Sequence, residues 1–452
     1  MTSPAHPTRS PRRLPVIALA ALALLAAACG APPSPGGWAP ALPVKVGSAD
    51  LVLVTHKSHV YALPDQSSNA TWQFPPKDKT GYPVSESAGA ALNAEIARLN
   101  LDATATSSLK TKVADLHVSG PSITALKDAI SATSASDADR SKLKSAVDSI
   151  TKFESGALGK IQAIYGDIGL SPDKKTAFVA GFKGVLFALD TTNGRLRWLR
   201  DDSPDGIVGG IATDDGTIYY GTKGKHVFAL DAATGVQKWQ FNTKGEVWAT
   251  PTLSSDTVYV SSLDGSLYAL DKSGGQRWRF SGAGSGVAAK PVVSGDAVYI
   301  GAFDSKLYSV KTSDGSLNWS LKGDNWFWAT PVVSGGTVYA AALDGKVYAV
   351  DVATGAARWD RPFNAGEAVR SGPVIAGGGL IVAARNGRVF KLDLATGKAS
   401  DASPVVLVNT KILADLTTDA TGKTVYIVPD SATLYTLDAE NLGLPGNVPL
   451  PQ

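Results

Sequence analysis

Short segments of β-branched and aromatic residues recur along most of the chain, separated by turn residues. Residues 245–284 contain one complete unit, and its pattern predicts four strands: Val247–Leu253, Thr257–Ser261, Ser266–Asp271 and Gln276–Phe280. Leu263-Asp264-Gly265 and the pair Gly274-Gly275 predict tight turns. Four short antiparallel strands in a unit of this size predict one blade of a β-propeller, in which radial repetition protects the sheet edges.

The unit recurs at a nearly constant period, which its aromatic residues mark. One aromatic residue of each unit marks the repeat, with steps of 126, 41, 40, 40, 40, 42 and 45 residues between units. These residues are Tyr61, Phe187, Phe228, Tyr268, Tyr308, Tyr348, Phe390 and Tyr435. A Trp follows ten or eleven residues after each of the first six, at Trp72, Trp198, Trp239, Trp278, Trp319 and Trp359. We therefore predict an all-β fold, an eight-bladed β-propeller, with blade 1 in residues 41–80 and blades 2–8 in residues 161–452. Two ways of closing the ring stay open, because either the C-terminal segment or a strand borrowed from the N-terminus could complete the last blade.

The long first step predicts an insertion between blades 1 and 2, in residues 81–160. Apolar residues in this segment have helical spacing, at Leu92, Ile96, Leu99, Leu109, Val113, Leu116, Ile123, Leu126, Ile130, Leu143, Val147 and Ile150. Gly120-Pro121 and residues 134–137 supply breaks and caps. We predict about four short helices. The alternation of strand direction places them on the rim where the B-to-C hairpins emerge, with strands named A to D from the axis outward.

The N-terminus predicts export and lipid anchoring. Arg9, Arg12 and Arg13 precede an apolar run that ends at Ala28, and residues 1–28 have the organisation of a signal peptide. Ala-Ala-Ala-Cys-Gly resembles the bacterial lipobox, which implies cleavage before Cys29 and lipidation of its thiol. Ordinary secretion with cleavage after Ala28 is the alternative. Residues 29–40 then form a lipidated tether, held at the outer membrane or at the outer leaflet of the cytoplasmic membrane.

Composition excludes several other classes of protein. Of the 43 basic residues, three lie in the predicted signal peptide, so the remaining 40 balance the 40 acidic residues. This balance argues against a nucleic-acid partner. Because Cys29 is the only Cys, the chain has no disulfide scaffold, no cysteine-based metal site and no free thiol nucleophile once that residue is lipidated. We expect a monomer.

The repeats carry a family resemblance. ALDTTNGRLRW, ALDAATGVQKW, ALDKSGGQRW and AVDVATGAARW, which begin at Ala188, Ala229, Ala269 and Ala349, resemble the quinoprotein-type repeat. This PQQ-like repeat builds the eight-bladed propellers of PQQ-dependent alcohol dehydrogenases and of the BamB-like lipoproteins of outer-membrane protein assembly. The resemblance implies that each blade Trp docks on the Gly-bearing turn of its neighbour. It thereby assigns structural blade docking to Trp198, Trp239, Trp278, Trp319 and Trp359.

The sequence offers no catalytic site. In the PQQ enzymes the cofactor lies under adjacent bonded cysteines, beside a calcium ion held by carboxylates, and this chain has no such cysteines. We therefore expect no cofactor, no metal and no enzymatic activity. A hydrolase or lyase using Asp264, Asp304 and Asp344 is the remaining catalytic hypothesis, but turn formation explains Asp at these positions.

A candidate partner-binding surface lies where strand A begins in several blades. The residue at this register varies among the blades and is often large, which predicts a surface position. The next residue is always small, which predicts tight packing between adjacent blades. Aromatic residues and Arg dominate binding hot spots. The candidate partner-binding residues are Trp248, Trp326, Phe327, Trp328, Arg370 and Arg385. The structural alternative is that Trp248 and Trp328 merely plug the mouth of the channel.

These observations favour a lipid-anchored, non-catalytic envelope protein whose propeller acts as a protein–protein interaction scaffold. Its expected partners are envelope proteins, and the resemblance implies the β-barrel assembly machinery. The alternative is an extracytoplasmic propeller that senses a small ligand or a carbohydrate, for which the same aromatic residues would serve as stacking platforms.

Overall fold

The fold is an eight-bladed β-propeller with a helical insertion. The computed structural model describes residues 37, 39–64, 67–76, 82–201, 205–408, 410–444 and 446–450. Within these residues, thirty-two strands form eight four-stranded sheets, and each sheet uses four strands that are consecutive in the chain. The predicted signal peptide and Cys29 lie outside the described residues.

Each blade consists of strands A to D in chain order. Blades 1 and 2 contain β1 (Leu42–Val46), β2 (Ala49–His56), β3 (His59–Pro64), β4 (Trp72–Phe74), β5 (Gly169–Leu170), β6 (Thr176–Ala180), β7 (Leu186–Asp190) and β8 (Leu196–Arg200). Blades 3 and 4 contain β9 (Ala212–Asp214), β10 (Thr217–Gly221), β11 (His226–Asp231), β12 (Gln237–Asn242), β13 (Thr252–Ser254), β14 (Thr257–Ser262), β15 (Ser266–Asp271) and β16 (Gln276–Phe280). Blades 5 and 6 contain β17 (Val292–Ser294), β18 (Ala297–Gly301), β19 (Lys306–Lys311), β20 (Leu317–Lys322), β21 (Val332–Ser334), β22 (Thr337–Ala341), β23 (Lys346–Asp351) and β24 (Phe363–Asn364). Blades 7 and 8 contain β25 (Val374–Ala376), β26 (Gly379–Ala383), β27 (Arg388–Leu392), β28 (Val405–Val406), β29 (Thr417–Thr418), β30 (Thr424–Ile427), β31 (Thr433–Asp438) and β32 (Gly446–Pro449).

The first strand of blade 4 is shorter than its sequence pattern predicts. In blade 4 the pattern predicts strand A over Val247–Leu253, whereas β13 covers only Thr252–Ser254. The preceding residues instead form a loop, and Trp248 in this loop lines the central channel. The difference matters for function because it turns residues of a predicted strand into the wall of a cavity.

Four helices connect blade 1 to blade 2. They are α1 (Glu86–Ala97), α2 (Ala103–Ala114), α3 (Pro121–Ser131) and α4 (Asp137–Lys160). Ser85, Asp102 and Ser136 cap α1, α2 and α4 by accepting hydrogen bonds from backbone N–H groups of the first turn. The Glu154 carboxylate on α4 accepts hydrogen bonds from the Ser85 N–H (3.0 Å) and hydroxyl (2.5 Å), which ties the two ends of the insertion together.

The insertion packs on the side of the ring. Helices α1 and α4 contact β8, the outermost strand of blade 2, and their apolar residues join one core with both blades 1 and 2. This position differs from the rim that strand direction predicts, because the helices bury their apolar faces against the sheet edge instead of capping the loops. Among the described residues, none of the helices combines the length and the apolar character needed to cross a membrane.

The ring closes between blade 8 and blade 1 without exchange of a strand. Strand β32 near the C-terminus completes blade 8, and β1 starts blade 1. Apolar residues of these two blades share a core, and the Thr417 hydroxyl donates a hydrogen bond to the Ala41 carbonyl at 2.7 Å. The structure therefore selects the first of the two closures that the sequence left open.

A Trp from the outer part of each of the first six blades docks on the next blade. Each indole N–H donates a hydrogen bond to a backbone carbonyl of the neighbouring C-to-D turn, and the ring packs on a glycine of that turn. The bonds are Trp72 to Thr191 (2.9 Å), Trp198 to Ala232 (2.9 Å), Trp239 to Lys272 (2.8 Å), Trp278 to Thr312 (2.9 Å), Trp319 to Val352 (3.0 Å) and Trp359 to Leu394 (3.0 Å). The glycines are Gly194, Gly235, Gly274, Gly315, Gly355 and Gly397, all with positive φ.

Candidate functional site at the channel mouth

The loops that lead into strand A line the central channel in three layers. The outer layer consists of Tyr165, Val208, Trp248, Ala288, Trp328, Arg370 and Leu413, which border a cavity of about 100 Å³ at one end of the channel. The next residue in each loop forms a layer of small side chains. The third residue forms an inner layer that contains Pro40, Asp167, Thr250, Lys290, Thr330 and Asp415, and these six also border a second cavity of about 450 Å³ on the other side.

The small layer lets the loops approach each other closely. A Cβ atom on Gly166 would lie 2.1 Å from the Gly209 carbonyl carbon, and one on Gly209 would lie 2.7 Å from that of Ala249. Ala289 and Ser371, at the same register, are almost completely buried. Small residues are therefore required here by backbone contacts between adjacent blades, and the outer and inner layers supply the larger and polar side chains that line the channel.

An aromatic cluster forms one sector of the mouth. Phe303 stacks between Trp326 and Trp328, with ring centroids 4.6 Å and 5.1 Å apart, and Trp328 also contacts Trp248 at 6.2 Å. The four side chains come from three loops, and each is partly exposed. We call Phe303, Trp248, Trp326, Trp328 and Arg370 the aromatic mouth.

Arg370 belongs to this cluster through a cation–π contact. Its guanidinium lies 4.6 Å from the centroid of the Trp328 ring, and the residue is 6% exposed. Arg385 is half-buried in the neighbouring B-to-C turn of blade 7, where its N–H donates to the Ala368 carbonyl. The structure thus joins Trp248, Trp326, Trp328 and Arg370 in one continuous surface.

Phe327 does not belong to this surface, although its sequence position suggested that it would. It is 1% exposed and lies in the core between blades 5 and 6, where its ring packs at a tilt against Tyr348, with ring centroids 5.4 Å apart. The reason is alternation, since Trp326 and Trp328 point one way along the extended loop and Phe327 points the other. Phe327 supports the aromatic mouth from behind.

Two carboxylates and one ammonium group face each other in the inner layer. The Lys290 Nζ lies 2.9 Å from the Asp167 Oδ2. Asp415 accepts hydrogen bonds from the Thr330 hydroxyl at 2.6 Å and from the Gly372 N–H at 2.5 Å. Within the described part of the chain, no basic side chain forms an ion pair with Asp415. The inner layer therefore holds an ion pair and a separate carboxylate that is bound only by neutral donors.

The pKa values of these groups follow from that arrangement. Enclosure by the ring alone would raise the pKa of Asp167, but the Lys290 ammonium outweighs it and lowers that pKa. The Asp167 carboxylate raises the pKa of Lys290 against the opposing effect of burial. Burial, followed by repulsion from the Asp167 carboxylate, raises the pKa of Asp415. When it is ionised, Asp415 is thus the least well compensated charge of the layer.

We expect Lys290→Met to lower the free energy of unfolding at neutral pH by about 1 kcal/mol. The change removes the cation that pairs with Asp167 and acts at longer range on Asp415, and the estimate is small because Lys290 is 37% and Asp167 29% exposed. The loss should shrink as pH falls. Wild-type Asp167 contributes stability that disappears as pH drops through its lowered pKa. In the variant, protonation of Asp167 and Asp415 removes the repulsion between the two unpaired carboxylates. Urea unfolding at several pH values measures this difference. Lys45→Met, which breaks an exposed pair, is the control, and an equal loss in both variants at every pH would contradict the expectation.

The aspartates considered for a catalytic role have structural partners. In the B-to-C turns, Oδ1 of Asp264, Asp304 and Asp344 accepts a hydrogen bond from the N–H two residues later, at 3.0, 3.1 and 2.9 Å. Oδ2 of each accepts from the hydroxyl of the Tyr in the third strand of the same blade, Tyr268, Tyr308 and Tyr348. These contacts stabilise the turns. The three carboxylates lie in three consecutive blades, and each is engaged within its own turn. Among the described residues there is also no group of three His, Cys, Asp or Glu arranged to hold a metal ion.

Comparison with known families identifies the repeat. The family model described as outer membrane protein assembly factor BamB matches residues 140–246, 183–400 and 328–441. Together these matches extend over residues 140–441, about two thirds of the chain. The chain belongs to this family. The family match begins within helix α4 of the insertion and covers blades 2 to 7 and most of blade 8.

Solved structures resemble this BamB-family chain at low sequence identity. The crystal structure of BamB from Moraxella catarrhalis is 22% identical, covers 62% of this chain and 81% of its own, and has a TM-score of 0.49. The computationally designed Ika8 protein is 18% identical, covers 63% of this chain and 87% of its own, and has a TM-score of 0.54. The second comparison supports the fold. A search of curated protein sequences finds no match.

Two parts of the site were missed by reasoning from the sequence of this BamB-family chain. Phe303 follows a strand in a B-to-C turn, at a position where Leu263 and Leu343 stand in the adjacent blades, and comparison of the repeats could have found it. Asp167, Lys290 and Asp415 come from blades 2, 5 and 8, and the residues at their register in the other blades are Pro, Gly or Thr. Aligning the repeats at this register would have shown that three of eight positions are ionisable.

Proposed function

We propose that the chain is a lipid-anchored, non-catalytic scaffold of the bacterial cell envelope, which binds other envelope proteins in outer-membrane protein assembly. The observation that carries the proposal is the aromatic mouth, a continuous surface of four aromatic rings and one guanidinium on a rigid face of the ring. Membership of the BamB family supports the assembly role.

The aromatic mouth has the composition and rigidity of a protein-binding hot spot. Trp, Tyr and Arg supply most of the binding energy in protein interfaces, and they do so best where neighbouring residues hold them in place. Here Phe303 fixes the planes of Trp326 and Trp328 by stacking, and the Trp248 indole donates a hydrogen bond to the Glu246 carboxylate at 2.7 Å. Because the side chains are already ordered, a partner would lose little conformational entropy in binding to them.

A protein partner fits this surface better than a carbohydrate. A sugar ring stacks on an aromatic face that is open to solvent, but both faces of Phe303 are covered by Trp326 and Trp328, and Arg370 covers part of Trp328. The exposed parts of the cluster are therefore mainly ring edges and the outer rings. These present an irregular apolar surface of the kind that protein side chains pack against.

The anchoring part of the proposal is supported by the sequence. The only Cys of the chain, Cys29, follows three Ala residues at the end of an apolar run, and the Pro- and Gly-rich residues after it would hold the propeller away from the membrane. Replacing Cys29 by Ser should release the protein from washed membranes into the soluble envelope fraction.

We expect the double variant Trp326→Ala/Arg370→Ala to lose partner capture while it stays folded. Each hot-spot truncation costs about 2 kcal/mol or more, so the two together should weaken binding by roughly 700-fold or more. The test is crosslinking in the native envelope, affinity purification and mass spectrometry of the captured proteins. The matched control is Leu317→Ala/Arg358→Ala, on the opposite face of the ring, where Leu317 is 48% exposed and Arg358 pairs with Asp351.

The result that supports the proposal is recovery of β-barrel assembly components with the wild type and the control, but not with the aromatic-mouth variant. Equal recovery with all three proteins would remove the aromatic mouth from the binding site. Recovery of envelope proteins outside this machinery, lost in the same variant, would keep the scaffold and overturn the assembly role.

A further inference from the structure

The channel end behind the aromatic mouth combines three features that a ligand site requires. It is concave, with a volume of about 100 Å³, and it is open to solvent at the mouth. Its outer walls include the indole rings of Trp248 and Trp328. Its floor is the inner polar layer, in which Asp167, Lys290 and Asp415 converge from three different blades.

The charge of the cavity floor favours a ligand that carries a positive charge. Lys290 is neutralised by Asp167 at 2.9 Å, so it does not offer a free positive charge to an anion. Asp415 has only the Thr330 hydroxyl and the Gly372 N–H as hydrogen-bond donors in the described part of the chain, and both are neutral. With both carboxylates ionised, the floor carries one negative charge more than it has positive charge. A cation near the channel axis would supply the missing compensation.

The walls select an organic cation over a metal ion. The Trp248 ring beside a carboxylate attracts an ammonium group and, with the edge of Trp328, packs against its aliphatic stem, whereas a metal ion needs several more oxygen ligands than this floor supplies. The Arg370 guanidinium, 4.6 Å from the Trp328 ring centroid, shows that this wall already accepts an organic cation from the chain itself.

The volume of the cavity limits the number of ligand atoms that it can hold. A cavity of about 150 Å³ holds benzene, which has six heavy atoms, so a cavity of about 100 Å³ holds roughly four. The ammonium group and the first carbons of an unbranched alkyl chain fit this space, and the rest of such a chain would extend past the indole rings toward solvent.

We propose that the axial cavity binds an alkylammonium group, with the ammonium hydrogen-bonded to Asp415 and the alkyl stem against the cavity side of Trp248 and Trp328. Such a group is carried by a free primary amine or by a Lys side chain of a bound protein. The site does not depend on the scaffold function, because a free amine would bind whether or not a partner protein occupies the surface.

The test is isothermal titration calorimetry of the full chain, purified in detergent, with n-butylamine hydrochloride as the probe. So small a ligand should bind with a Kd of about 1 mM. Asp415→Asn should weaken binding at least tenfold, because the amide removes the charge while its oxygen still accepts from the Gly372 N–H and its NH₂ group can donate to the Thr330 hydroxyl. Asp256→Asn, which removes an exposed carboxylate on the opposite face, is the matched control and should bind as the wild type does.

Arg370→Gln gives an independent signature. It removes a competing cation from the mouth, so butylammonium should bind two- to tenfold more tightly to this variant. Sodium butyrate, which has the same alkyl stem and the opposite charge, should not bind. Potassium chloride at the same ionic strength should not displace the amine.

Several results would overturn the proposal: no heat of binding at concentrations tenfold above the expected Kd, butyrate binding as well as butylamine, displacement by potassium, or Asp415→Asn binding like the wild type. Weaker binding to Arg370→Gln would also contradict it, since that result indicates an anion site. Titration with a lysine blocked at its amino and carboxyl ends then distinguishes the two sources. Tighter binding than butylamine points to a partner's Lys, and exclusion points to a free amine.

Discussion

Trp319→Ala should lower the free energy of unfolding by about 3–5 kcal/mol, the range found when a large buried aromatic is truncated. Trp319 is 8% exposed, and its indole N–H donates to the Val352 carbonyl of the next blade at 3.0 Å. Its ring also packs on Gly355, where φ is +71° and an added Cβ would lie 2.7 Å from the indole. Truncation would remove the packing, leave the carbonyl without its donor and open a cavity between blades 5 and 6.

Chemical denaturation followed by circular dichroism measures the effect, with Trp326→Ala as the matched control. Like Trp319, Trp326 carries an indole side chain near the end of blade 5. Trp326 is partly exposed, however, and its ring stacks on Phe303. Its truncation should cost no more than about 1.5 kcal/mol. If both variants lose the same stability, blade docking by Trp contributes no more than a surface stacking contact, and the assignment of these residues as inter-blade staples fails.

Gly166→Val should be about as destabilising, with a loss of at least about 3 kcal/mol or failure to fold. A Cβ on Gly166 would lie 2.1 Å from the Gly209 carbonyl carbon and 2.2 Å from the Gly210 nitrogen. Both are backbone atoms, so no side-chain rotation relieves the clash, and blades 2 and 3 would have to move apart at the axis. Overpacking of cores usually costs 1–3 kcal/mol, and a clash with backbone belongs at or above the top of that range.

The control for this substitution is Gly159→Val. Gly159 lies in α4, and an added Cβ would have no atom within 4 Å. Its replacement should leave stability unchanged or slightly higher, because Gly is a poor helix former. Thermal unfolding of the two variants separates them, and a Gly166→Val protein as stable as the wild type would show that the small layer does not hold the blades together.

The repeat made most of the fold predictable. Each blade repeats one aromatic in its third strand, so eight sheets and the insertion between the first two of them followed from counting positions. The start of each blade was less predictable. Val247 and Trp248 have the composition of a strand, yet they lie in a loop because the ring brings strand A close to the axis, where only a short strand fits before adjacent blades collide.

The site was predictable only in part, because its residues differ among the repeats. Trp248, Trp328 and Arg370 could be placed at one rim from their common register, and the structure joins them. The burial of Phe327 depends on the local direction of one loop, which composition does not reveal. The inner layer brings together Asp167, Lys290 and Asp415, more than a hundred residues apart in sequence, and only closure of the ring makes them neighbours.

The most direct test of the scaffold proposal is photo-crosslinking from the aromatic mouth in living cells. A photoreactive amino acid replaces Trp326 in one protein and Ala353, in an exposed turn on the opposite face, in another. Crosslinked proteins are purified and identified by mass spectrometry. We predict that β-barrel assembly components are crosslinked from position 326 and not from position 353. Crosslinking to them from position 353 alone, or from neither position, would contradict the proposal that this chain acts through its aromatic mouth.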